Sequence, residues 1–116
     1  MPMHWTHIQH LAEKEVTATM NELPPPVRER MKDVPVIMEK APSPEDVAMG
    51  IEPDTLGFFD EDAAGLVHIR LWLENIWDYS DADPDIFLEE VRTTLLHEIG
   101  HLLGWDEEDV EERGLG

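Results

Sequence analysis

The stretch that decides the fold is "DADPDIFLEEVRTTLLHEIGHLLG", residues 81–104. Asp83 is placed to cap a helix whose first position is Pro84, where no backbone N–H is needed. Asp85 then sits near the positive end of the helix dipole. Gly104 suits the left-handed residue that closes a helix. The span is about twenty residues, or roughly 30 Å at about 1.5 Å per residue. On a helical wheel Leu88, Val91, Leu95, Leu96, Ile99, Leu102 and Leu103 share one broad arc. His97, His101 and Gly104 fall opposite, with Glu98 displaced toward the flank. The two histidines therefore project together from the polar face, one turn apart.

Upstream, "TLGFF" (55–59) and "LVHIRLWL" (66–73) flank "DEDAAG" (60–65), whose Gly65 and acids form turns. This predicts a β-hairpin. In its second strand Val67, Ile69, Leu71 and Leu73 alternate with Leu66, His68, Arg70 and Trp72, which predicts a face or edge partly open to solvent. "APSPEDVAMGIEPD" (41–54) holds three prolines and reads as a surface loop. "VPVIMEK" (34–40), rich in β-branched residues, reads as a strand. In "MHWTHIQHLAEKEVTATMNEL" (3–23) Trp5, Ile8, Ala12, Val16, Met20 and Leu23 recur near helical spacing. That amphipathic helix stops at "PPP" (24–26), since proline cannot continue it. The tail "WDEEDVEERGLG" (105–116) is short and acidic.

A chain of 116 residues supports a single domain, 1–116, with one modest core. The apolar content of 41% argues against wholesale disorder. Without cysteine there is no disulfide framework and no thiolate metal site, so any metal must be held by His, Asp, Glu or backbone oxygen. No apolar run approaches a membrane span, and "MPMHWTHIQH" lacks the layout of a secretory signal. The expectation is a cytoplasmic, monomeric or weakly associating protein. The formal charge of −19, from 27 acids against 8 bases, repels phosphate backbones and anionic membranes. It serves solubility, or a preference for cationic ligands.

His97, Glu98 and His101 spell His-Glu-x-x-His on a helix, the metalloprotease signature. Two imidazoles one turn apart can reach one ion, and the carboxylate beside them is positioned as a general base. The alternative is a pair of exposed histidines among acids. Recurring His4, His7 and His10 could cradle a metal or close over the site, but read more simply as a wet helix end. Trp5, Trp72, Trp77 and Trp105 read as core or hinge aromatics, and Phe58 and Phe59 beside Gly57 as hairpin packing.

"HEIGHLLGWDE" resembles the extended zincin motif His-Glu-x-x-His-x-x-Gly-x-x-ligand, in which the glycine turns the chain so that a third ligand returns to the ion. Together with the upstream helix, strand and hairpin, the chain is similar to the small bacterial minimal zincin family of zinc metallopeptidases. The resemblance implies an α+β, zincin-like fold. In it a small mixed sheet of about three strands packs on an N-terminal helix and a long C-terminal active-site helix. It implies one Zn²⁺ per chain held by His97 and His101, with Glu98 as catalytic base and Glu107 at the third-ligand position. Asp109, Asp106, Glu108 or water are the alternatives there. Asp106 and Asp109 also read as a capping pair for a last helical turn.

The expected activity is zinc-dependent hydrolysis of a peptide or small protein. Strand 66–73 is expected to offer its edge to that peptide, with His68 and Arg70 near the cleft or simply blunting a solvated edge. All six methionines precede residue 50 and Tyr79 is the sole tyrosine, so neither a methionine turn nor a later oxyanion donor is available. This leaves a non-catalytic zinc-binding module as an alternative. "HLLGWDE" also resembles the turn of rRNA-maturation endoribonucleases, although Glu107 replaces their third histidine and the acidic surface opposes RNA.

Overall fold

The computed structural model describes residues 4–104. Helix α1 (Trp5–Glu22) buries Ile8, Ala12, Val16 and Thr19, which recur at helical spacing, and it ends before the prolines. Pro25 then opens a second, short helix, α2 (Pro25–Met31), because proline is tolerated in a first helical turn. Strand β1 (Val36–Glu39) follows. The proline-rich segment 41–54, expected as a loop, holds helix α3 (Pro44–Ala48). A reciprocal capping box between Ser43 and Asp46 supplies the start that the prolines obscured.

Strands β2 (Gly57–Glu61) and β3 (Val67–Trp72) form the expected antiparallel hairpin. Its turn is held by Asp62, whose Oδ1 accepts from the backbone N–H groups of Ala64 and Leu66, and by Gly65 at φ +82°. Helix α4 (Leu73–Tyr79) begins directly at the end of β3, one residue earlier than the expected strand boundary. Asp81 and Ala82, both at positive φ, turn the chain into α5 (Pro84–Leu102). Asp83 caps α5 as expected, its side chain accepting from the N–H groups of Asp85 and Ile86. Gly104 closes the helix at φ +79°.

The sheet order is β1-β3-β2, with β1 parallel and β2 antiparallel to β3. It is the mixed three-stranded sheet expected for an α+β chain. One face packs on the helices. Ile69 and Leu71 of β3 are fully buried with Phe87, Val91, Leu95 and Ile99 of α5, and α1 covers the same core. The opposite face carries Arg70, which binds Glu39 of β1 and Asp46 of α3 and lies over the Trp72 ring.

β3 is thus the central strand. The expectation that residues 66–73 form an open edge is overturned, because β1 and β2 occupy both of its sides.

Candidate metal centre

The candidate site lies on the last two turns of α5. The same wheel that sends Leu95 and Ile99 into the core turns His97 outward, half-buried, and leaves His101 exposed. Their Nε2 atoms stand 2.8 Å apart, with the rings edge to face and centroids 4.4 Å apart. Two nitrogens sharing a tetrahedral zinc at about 2.0–2.1 Å each would be about 3.3 Å apart. The imidazoles need to open by only about half an ångström, well within small χ adjustments. The donor types and their convergence fit zinc.

Glu98 is more enclosed than its flank position on the wheel implied, at 7% exposure. The cause is β2, which packs along that flank of α5. Gly57 permits the approach. A Cβ there would come within 2.6 Å of the Thr94 methyl. Glycine inside a strand signals such a close approach, so Gly57 was legible as a packing device but not as a wall of the site. Burial pushes the Glu98 carboxyl above the ordinary carboxylate range, against the pull of positive charge on His101 and His97. A base tuned upward in this way is better matched to neutral operating pH.

Alongside lies a cavity of about 240 Å³, bounded by Leu56 and Gly57 on the strand side and by Glu90, Thr94, His97 and Glu98 on the helix side. β2 pairs only with β3 among the described residues, so its outer edge lies open next to this cavity. That edge replaces strand 66–73 as the peptide-binding candidate.

His68 and Arg70 are not in the cleft. They alternate with Ile69 and Leu71, and so point to the far face of the sheet. There His68 approaches Asp60 at 3.8 Å, and Arg70 is committed to Glu39 and Asp46. Nor is Arg70 a solvated edge charge, since its side chain is only 13% exposed. His4, His7 and His10 are all exposed along the start of α1.

No group of three His, Cys, Asp or Glu suited to a metal occurs among the described residues. Glu107, the expected third ligand, lies outside them, as do Asp106, Glu108, Asp109 and Trp105. Of the other tryptophans, Trp72 is fully buried and Trp77 packs edge to face on Phe87, with ring centroids 5.4 Å apart.

The zincin-like metallopeptidase family matches residues 31–116, a region that holds the whole sheet, α5 and the motif. The chain belongs to that family, which makes it a metallopeptidase at the level of family and associates it with zinc and with peptide substrates. No curated protein matches the chain. No helix among the described residues is long and apolar enough to cross a membrane.

Proposed function

We propose that this chain hydrolyses peptide bonds at a zinc ion held by His97 and His101, with Glu107 as the third ligand and Glu98 as general base. The observation that carries this reading is the convergence of two imidazole Nε2 atoms, 2.8 Å apart, beside a carboxylate buried on the flank of α5. Bound zinc supplies a Lewis acid for the scissile carbonyl and for the attacking water. Glu98 takes the proton from that water and delivers it to the leaving amine.

The outer edge of β2 pairs with the extended peptide backbone and aligns the scissile bond above α5. Leu56 and Gly57 exclude water from one side of the cleft, which strengthens every charge interaction inside it. The accompanying proposal is a monomeric cytoplasmic enzyme, one domain per chain, acting on peptides rather than nucleic acid. The charge of −19 is in keeping with that choice of partner.

The test is zinc binding and turnover read together. Wild type is expected to bind one zinc per chain and to gain about 2.7 kcal/mol of stability at a hundredfold excess over Kd. His97→Ala and His101→Ala lose that gain. Glu98→Gln keeps zinc but loses turnover by about 10²–10⁴-fold. Turnover that survives Glu98→Gln, or zinc binding that survives both histidine variants, defeats the assignment.

A further inference from the structure

We propose that the cavity beside the motif is a subsite for a lysine or arginine side chain adjacent to the scissile bond, with Glu90 as its specificity-determining residue. The proposal rests on the peptidase reading above and names the class of substrate: cationic peptides.

Glu90 lies seven residues before His97 on the same face of α5, about 10 Å along the helix axis. Both residues line the one cavity, His97 at the motif end and Glu90 at the other. A side chain entering beside the scissile bond must be long to meet Glu90. At about 240 Å³ the space is smaller than a drug-sized pocket and suits a single side chain. Its strand wall is Leu56 and the bare backbone of Gly57, apolar surface for a methylene stem. Lysine and arginine combine such a stem with a charged head.

Among the described residues Glu90 has nothing to neutralise it. It is half-buried and makes no hydrogen bond or ion pair with any described residue. No lysine or arginine among the described residues lines the cavity. The neighbouring Arg92 is turned away, bound to Glu22 on α1. An apolar side chain in this space would strip water from the Glu90 carboxylate without replacing it, and an acidic one would add repulsion. Sites built around a polar partner discriminate in this way against ligands that lack it. The overall charge of −19 adds a long-range field that favours cationic peptides on approach.

The experiment uses the full chain, zinc-loaded and carrying Glu98→Gln so that no substrate is consumed. Three peptides are titrated calorimetrically, identical except for lysine, norleucine or glutamate beside the scissile bond, with the variable residue placed on either flank in turn. On one flank the lysine peptide should bind at least tenfold more tightly than the norleucine peptide, and the glutamate peptide most weakly. Adding Glu90→Gln should bring lysine and norleucine within twofold. Adding Glu90→Lys should invert the order toward glutamate, a reversal that a merely structural role would not produce.

Equal affinity for lysine and norleucine on both flanks, a preference that persists in Glu90→Gln, or no binding of any peptide overturns the subsite. Wild-type enzyme mixed with the lysine peptide reports on the activity separately. Glu90-dependent binding without cleavage would leave the subsite standing and remove the peptidase reading.

Discussion

At Gly57 the distance between sheet and active helix is set by the absence of a side chain. Alanine there would bring its Cβ within 2.6 Å of Thr94 Cγ2 and within 3.3 Å of the Arg70 carbonyl oxygen. The first clash is with a methyl on a stiff β-branched residue, so relief requires β2 or α5 to move. Gly57→Ala is expected to cost about 1–3 kcal/mol in urea unfolding. It should also lower turnover through displacement of Glu98, which lies one helical turn beyond Thr94. Thr94→Ser removes the offending methyl, and the pair Gly57→Ala/Thr94→Ser should recover at least half of the loss. Additive costs in the double variant would show that the methyl contact is not what limits the approach. Of the proposed site, His97, Glu98 and His101 were legible as a motif, because helical spacing alone brings i and i+4 together. Glu90, Thr94 and Gly57 were not legible as its walls. Their meeting depends on which flank of α5 receives the hairpin, a tertiary choice that no local pattern encodes.

Among the elements, α3 depends most on a single contact. Its five residues are too few to hold a helix by themselves, and they are fastened to the sheet by Asp46 on Arg70. The Arg70 guanidinium, then the Ser43 N–H, hold the Asp46 carboxyl well below the usual carboxylate range. A carboxyl with a lowered folded value stabilises fully above its unfolded value of about 3.9, and that stabilisation is withdrawn as pH falls below it. The stability gap between wild type and Asp46→Asn should therefore be constant from pH 7 to about 5 and narrow steadily below about 4. At neutral pH the gap should be about 2–3 kcal/mol, since Arg70 loses a buried partner and keeps only Glu39. A gap that does not change down to pH 2.5 would exclude the ion pair as its source.

The same scale separates what patterning conveys from what it does not. The caps of α5 and the hairpin turn were plain, because Asp83, Pro84, Gly104 and Gly65 each answer a local backbone demand. Helix α4 was hidden, since Leu73 continues the apolar alternation of β3 straight into a helix without a punctuating residue. The central position of β3 was hidden as well. His68 and Arg70 are polar, and polar side chains read as exposed unless their partners are known, Asp60 on β2 for His68 and Glu39 and Asp46 on β1 and α3 for Arg70.

Taken whole, the molecule carries its charge of −19 on a small body with a Cα radius of gyration of 14.0 Å among the described residues. Self-repulsion on this scale opposes compaction, and salt screens it with a Debye length of about 10 Å at about 0.1 M. Raising sodium chloride from about 0.02 to 0.2 M should therefore raise Tm, whereas a protein held mainly by surface ion pairs would lose stability. A flat or falling Tm would assign the acids to local pairing instead. The preference for lysine peptides should weaken over the same range, since Glu90 is only half-buried.

Helix α1 lies outside the family match at 31–116, yet it lays Ile8, Ala12 and Val16 into the core shared with α5, and Glu22 meets Arg92. The part of the chain that the family model covers thus lacks, by itself, the helix that roofs its core. Expressed from residue 31 onward, it would show wet leucines where the roof had been. It should bind hydrophobic dyes and self-associate, and adding residues 1–30 as a separate peptide should restore a monodisperse species.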